Sequence, residues 1–463
     1  MFRKFTNGCV AMVQKFMPDP FLFCVILSFV AIGLAMPLTG QGFTAVMRHW
    51  GNGFWGLLPF SMQMALVLVL GNAMATSPPI SRFLKFLASI PKTPTGMIVA
   101  VTVVGFIASW VNWGFGLVVG ALYAREIAKT GKRVDYRLLI ASAYIGFISW
   151  HGGFSGSVPL QIAMPIAAGA AVANTGGAVM AAIPISQTIF APFNWVIIIA
   201  LFILMPFVNS RMHPKDEDII LISPELLKEE EVVEKKPETP AEKLENSRIV
   251  SLITGALGVI FLVLHFTKTG VRGLDLNAVN FIFLISGILL HGTPIRYVRA
   301  ITKGIKGAGG ILLQFPFYAG IAGIMGGMTA VAAGGTGQSL AMVISNAFAN
   351  VASPASWPLL SFLSCFIVNF FIPSGGGQWA VQGPVIMPAG AALGVMPAVT
   401  AMTYAWADTW GNMIAPFWAL PALGIAGLGA RDIMGYCVVA LVTSGVVIMT
   451  VMILLGQGLL LPM

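Results

Sequence analysis

The stretch Trp406-Ala-Asp-Thr-Trp-Gly-Asn-Met-Ile-Ala-Pro416 decides how this chain is read. Asp408 is the first charged residue after Lys306, and the sequence on both sides of it is apolar. A carboxylate at the centre of a bilayer-crossing helix costs about 2.5–3.5 kcal/mol on insertion scales, so its presence there points to function. Gly411 and Pro416 interrupt the helix beside it. An acid at such a break can hold a cation together with freed backbone carbonyls. The bland alternative is an Asp that caps the second half-helix.

The composition agrees with a membrane setting. Of the 463 residues, 57% are hydrophobic and 9% are charged, against roughly a quarter charged in a soluble domain. The mean hydropathy is +0.87. Soluble enzymes, disulfide scaffolds and disordered tails are excluded. Uniform membrane helices have no need of 52 glycines and 28 prolines. Irregular backbone inside the membrane is expected, and it is tolerated where protein or a cavity surrounds it.

The net charge of +9 is no nucleic-acid signature. Most acidic residues lie between Asp216 and Glu245, while Lys and Arg flank apolar runs in the positive-inside pattern. No nucleic-acid partner is expected; the bilayer is. Cys9, Cys24, Cys365 and Cys437 show no metal spacing and read as small hydrophobes. The start, Met1-Phe-Arg-Lys, with the apolar run Phe21 to Met36, reads as a retained first helix with a cytoplasmic amino end.

Spans are expected at 21–37 and 54–76, followed by a basic loop with Arg82, Lys85 and Lys92. The apolar stretch 95–124 ends in a second basic loop, Arg125 to Arg137. Placing both loops on one side makes 95–124 a re-entrant hairpin that turns at Ser109-Trp-Val-Asn-Trp-Gly-Phe-Gly116. The run 138–173 is interrupted at Ser149-Trp-His-Gly-Gly-Phe-Ser-Gly-Ser-Val-Pro159, a broken helix. A span at 179–208 leads to a charged cytoplasmic linker, 209–247, too polar to pack and partly helical near Glu225–Glu234.

The second half runs through spans at 248–267, 277–293 and about 309–333. It continues through a hairpin at 357–395, containing Val368-Asn-Phe-Phe-Ile-Pro-Ser-Gly-Gly-Gly-Gln-Trp379, and a broken helix at 398–428. A last helix covers 433–457. The halves echo each other: Val111-Asn112-Trp113 against Val368-Asn369-Phe370, and Tyr144 and Trp150 against Tyr404 and Trp410. Counting spans gives the hairpins opposite orientation, an inverted repeat with its site at mid-membrane. The fold expected is an all-α polytopic membrane protein, an inverted-repeat secondary transporter with two re-entrant hairpins and two broken helices. Residues 1–94 and 248–356 supply the scaffold; 95–208 and 357–463 supply the moving transport domain.

At the breaks, Asn112, His151, Ser155, Ser157, Asn369, Ser374, Gly375, Gly376 and Gln378 are candidates for substrate contact. Half-helix N-termini there offer N–H groups to a carboxylate. Asp408, Thr409, Asn412 and Ser149 are candidates for the coupling ion. His151 reads equally as a proton carrier or a hydrogen-bonded core histidine. No Lys or Arg lies near the breaks, which favours a small monocarboxylate with an apolar tail. No catalytic residue, resident metal or cofactor is expected; the coupling cation is H⁺ or Na⁺.

Taken together, Val-Asn-Trp-Gly-Phe-Gly, Ser-Trp-His-Gly-Gly-Phe-Ser-Gly-Ser, Pro-Ser-Gly-Gly-Gly-Gln-Trp and Trp-Ala-Asp-Thr-Trp-Gly-Asn resemble the bacterial short-chain fatty acid permease family across essentially the whole chain. The resemblance implies uptake of butyrate-like or acetoacetate-like monocarboxylates across the bacterial inner membrane. Through the wider ion-transporter superfamily it also implies a homodimer and elevator-like movement. Hairpin tips in that superfamily often carry Ser-Asn-Thr; here the turns read Ser109 to Asn112 and Asn369 to Ser374. Competing readings are transport of larger carboxylates such as acyl amino acids, an intramembrane enzyme built from Ser155, His151 and Asp408, and a channel.

Overall fold

A computed structural model describes residues 2–130, 133–164, 172, 175, 177–224, 237–273, 276–328 and 337–461. Every regular element among them is a helix. Seven of these helices are long and apolar enough to cross a membrane: Pro20–Thr39, Leu58–Ala75, Pro94–Val111, Pro192–Arg211, Arg248–Thr269, Gly309–Gly326 and Ala430–Gly456. The chain is a multi-pass membrane protein.

In the first half, α1 (Phe2–Phe16), α2 (Pro20–Thr39), α3 (Phe43–Gly53), α4 (Leu58–Ala75) and α5 (Pro78–Ser89) precede a helical pair, α6 (Pro94–Val111) and α7 (Trp113–Ala128). Next come α8 (Tyr136–Gly146), a 3₁₀ turn over Phe147–Gly152, the short α9 (Ser157–Ile162) and α10 (Pro192–Arg211). The second half holds α11 (Pro240–Glu245), α12 (Arg248–Thr269), α13 (Leu276–His291), α14 (Pro294–Gly304), α15 (Gly309–Gly326) and α16 (Leu340–Ala349). It ends with α17 (Trp357–Phe371), α18 (Gly375–Ala392), α19 (Pro397–Gly411), α20 (Pro416–Ala426) and α21 (Ala430–Gly456). Many helices open on proline, whose missing N–H costs nothing in the first turn. Side-chain oxygens of Asp19, Thr93, Asn112, Asp135, Ser339 and Ser374 cap helix starts.

Several elements depart from the sequence expectation. The basic "loop" after α4 is the amphipathic helix α5, and Arg296, Arg299 and Lys303 sit on the amphipathic α14. Each runs about three turns, with apolar residues on one face and basic residues on the other, and opens on a proline. The amphipathic α1 and α3 were not anticipated; α1 lies along α21, burying Thr6, Cys9 and Val13. The span expected at 179–208 is helical from Pro192 only, with irregular backbone and a 3₁₀ turn at Ile185–Gln187 before it. Helix α15 stops at Gly326 rather than 333, and residues 329–336 lie outside the described set. So do 165–171 and 173 of the 138–173 run, and 225–236 of the linker, which contains the expected helix near Glu225–Glu234.

The start of that linker does pack, contrary to expectation. Ile220 N–H donates to Asp135 Oδ2 at 3.0 Å, Tyr136 N–H to the Ile220 carbonyl at 2.8 Å, and Arg133 to the Asp216 carbonyl at 2.8 Å. Its backbone at Asp216 and Ile220 is satisfied by the charged corner before α8.

The reversal between α6 and α7 is tighter than the eight-residue turn expected. Asn112 alone is extended, and its Oδ1 accepts the Phe115 N–H at 3.0 Å. The glycines serve another purpose: a Cβ on Gly116 would collide with Ser109, so Gly116 lets the two arms touch.

Candidate functional site

Asp408 lies inside α19, in its last turn, and the backbone break follows at Asn412–Ala415. Both parts of the sequence reading that depended on its lying at the break need correction. Helical hydrogen bonding continues past Asp408, with Asn412 N–H donating to its carbonyl. Nor does it cap α20, whose N-cap residue is Ala415.

Instead, the carboxylate is fully buried within a shell of N–H donors. His151 Nδ1 is 2.8 Å from Oδ2, Asn412 Nδ2 donates to the same oxygen at 3.2 Å, and Asn369 Nδ2 donates to Oδ1 at 2.8 Å. His151 is equally buried. Its Nε2 accepts the Val158 N–H at 3.3 Å, which puts the ring proton on Nδ1, directed at Asp408. Residues 257 positions apart thus form one pair. The first-half 3₁₀ turn, the end of α17 and the end of α19 meet there. None of the three partners carries a permanent charge. A buried carboxylate is expensive unless it is hydrogen-bonded, and here the three N–H donors meet that need.

A buried polar chain leads away from the pair. Asn369 Nδ2 also reaches Gln378 Oε1 at 3.1 Å; Gln378 Nε2 donates to the Cys365 carbonyl and to Gln382 Oε1, both at 2.8 Å. Gln382 Nε2 continues to Ser345 Oγ at 2.9 Å and Ser364 Oγ at 3.3 Å. Asn369 and Gln378 therefore support Asp408 from within the second hairpin. Two acceptors beside the carboxylate, Asn369 Oδ1 and Asn412 Oδ1, are buried without a hydrogen-bond partner.

The remaining candidates cluster at the hairpin tips or turn away. Ser374 caps α18 by accepting the Gly377 N–H at 3.3 Å. Gly375 packs so closely that a Cβ would meet Ser157 Oγ, His151 Cε1 and the Trp150 ring. Gly376 is exposed, with open space where its Cβ would be. Ser155 Oγ accepts the Trp113 N–H at 2.8 Å, joining the first hairpin to the first break. Ser149 and Thr409 are occupied elsewhere: Ser149 Oγ donates to the Phe106 carbonyl at 2.7 Å and Thr409 Oγ1 to the Ile148 carbonyl at 3.1 Å.

Sequence reasoning missed the aromatic frame. Trp150 stacks on His151 at 4.1 Å, Trp113 and Trp418 meet edge to face at 5.1 Å, and Trp418 Nε1 donates to the Pro373 carbonyl at 2.7 Å. The two tyrosines of the internal echo are structural partners. Tyr404 donates to the Gly375 carbonyl at 2.6 Å and Tyr144 to the Asn412 carbonyl at 2.5 Å. Their equal spacing from a tryptophan was the available signal.

A family model described as short chain fatty acid transporter matches residues 1–455. A protein of Escherichia coli (strain K12), provisionally named short-chain fatty acid transporter, is 45% identical over 450 residues, 96% of this chain and 98% of that one. Its counterpart in Haemophilus influenzae is 46% identical over 445 residues, 96% and 97% of the two chains. Among solved structures, the Alcanivorax borkumensis YdaH transporter aligns with a TM-score of 0.43 at 18% identity, covering 96% of this chain and all of that one. Neisseria gonorrhoeae MtrF aligns at 0.41 and 18%, covering 97% of each chain.

Proposed function

This chain belongs to the short-chain fatty acid transporter family, and from that premise we propose that it is a symporter importing small monocarboxylates such as butyrate or acetoacetate with a coupling proton. It is a transporter and not an enzyme. The observation that carries the coupling proposal is the buried His151–Asp408 pair, assembled from both halves of the chain.

Import of a monoanion into a negative-inside cell is opposed by about 2.3 kcal/mol for each 100 mV of membrane potential. One cotransported cation removes that penalty, and more than one turns the potential into a driving force. In the geometry described, three N–H groups hold the carboxylate. A proton taken up on His151 Nε2 would give a neutral imidazolium–carboxylate pair; it would replace the bond that Nε2 accepts from the Val158 N–H, on a ring whose Cε1 packs at Gly375. The start of α18 lies there, with its Ser374 cap and the open Gly376. A substrate carboxylate at that tip would meet backbone N–H groups and the loaded imidazolium together. The aromatic frame of Trp113, Trp150 and Trp418 would take its apolar tail.

A sodium-coupled version has one observation in its favour. Asn369 Oδ1 and Asn412 Oδ1 lack partners, and turning either amide end for end would point an oxygen at the Asp408 carboxylate and form a cation shell. Gradient-driven uptake of labelled butyrate in proteoliposomes separates the two: a pH gradient alone should drive accumulation. The inner-membrane location, cytoplasmic amino end, homodimer and elevator movement belong to the same proposal. Larger carboxylates such as acyl amino acids are its substrate alternative, tested by competition with butyrate. Inhibition of transport by acyl amino acids at butyrate-like concentrations would favour them.

A further inference from the structure

A cavity of about 510 Å³ opens away from the buried pair. It is lined by residues of α4, α14 and α15, by the start of α2 and the end of α7, and by α20 with the turn that joins it to α21. Its charges are strongly one-sided: Arg125, Lys303 and Lys306 line it, against a single acid, Asp19. Arg125 Nε is buried without a hydrogen-bond partner. Gln314 is only 5% exposed, and its Oε1 also has no partner. Rotating that amide end for end would offer an N–H₂ group to an anion. The volume falls in the range of small-molecule sites, about 300–1,000 Å³.

Helix α20 connects this cavity to the hairpin tip. Its Trp418 holds the Pro373 carbonyl, while Leu420, Leu423, Gly424 and Gly427, spaced as one helical face, line the cavity. The eleven residues of α20 span about 16 Å. The cavity is therefore lined both by basic side chains for an acid group and by leucines for a short chain.

We propose that this cavity is the cytoplasmic vestibule for the transported monocarboxylate, with Arg125, Lys303 and Lys306 drawing in its acid group and the α20 leucines covering its tail. Its cytoplasmic placement follows from the basic residues around it, and its ligand rests on the transport reading above.

The native cysteines are all buried, so a Leu428→Cys protein carries one reactive thiol in the half-buried lining. In sealed inside-out vesicles, butyrate at about four times its dissociation constant should slow thiol labelling about fivefold. Raised salt should weaken the protection, as for any partly exposed charge contact. Adding Arg125→Gln and Lys306→Gln should abolish it. Labelling indifferent to butyrate, protection that survives the double substitution, or protection set by anionic lipid content would overturn the proposal. Proton-driven butyrate accumulation by the same Leu428→Cys protein tests the transport reading separately.

Discussion

Asp408 can be singled out from the sequence because an uncharged background makes one carboxylate conspicuous. His151 stands out as a candidate too, but not as the partner of Asp408, because a histidine beside glycines looks the same whether or not it has a carboxylate to face. Asp408→Asn keeps the shape and can still accept two of the three N–H groups. The third is left unsatisfied, at a cost of about 1–3 kcal/mol. The variant should insert and fold, yet lose accumulation of butyrate against its gradient. Unchanged accumulation with unchanged pH and Na⁺ dependence would make the residue structural. Gly375→Ala tests the tip independently. Its Cβ would press on His151, Ser157 and Trp150, and overpacking of this kind costs about 1–3 kcal/mol. Transport should fall severely while the protein remains folded by circular dichroism. Wild-type uptake by that variant would separate the tip from the pair.

Helix ends were legible where a capping side chain or proline marks them, as at Asn112, Ser374 and Pro416. They were obscure where the backbone simply unwinds, as after Gly146 and before Pro192, since no single residue type announces a 3₁₀ turn. Amphipathic α1, α3, α5 and α14 were hidden because basic residues break up their apolar positions, so they read as loops between the long apolar runs. Removing the α18 cap with Ser374→Ala should destabilise that start by about 1 kcal/mol. It should raise the butyrate concentration for half-maximal uptake more than it lowers the maximal rate, and the reverse pattern would count against substrate binding at this helix end. The docked linker is an element whose charge the sequence misjudged. Burial pushes His213 below its ordinary 6.5, partly opposed by the Asp135 charge, while its Nε2 accepts the Asp135 N–H at 3.3 Å. Above pH 6.5 the docked and free imidazoles are both neutral, so the docking is fully present. As the pH falls below 6.5 the free imidazole binds its proton first, and the docked form loses stability down to its own lower value. Protection of the Ile220 amide, corrected for intrinsic exchange, should decline across that window; pH-independent protection would remove His213 from the account.

At the scale of the molecule, the multi-pass helical class follows from composition alone. The pairing of the halves does not, because it depends on which side-chain contacts form between distant segments. The structure joins them through His151 with Asp408, Thr409 with Ile148 and Tyr144 with Asn412. The topology proposed for the hairpins predicts that cysteines placed near Lys92 and Arg133 react with an impermeant reagent on the same, cytoplasmic, face. Opposite-face labelling would end the inverted-repeat proposal. The central claim is that the buried pair couples a proton to carboxylate import, and the direct measurement is butyrate accumulation in proteoliposomes with the pH and Na⁺ gradients imposed separately. The account predicts accumulation driven by an inwardly acidic-to-alkaline gradient without Na⁺, absent from Asp408→Asn. Accumulation that requires Na⁺ and ignores the pH gradient would contradict it.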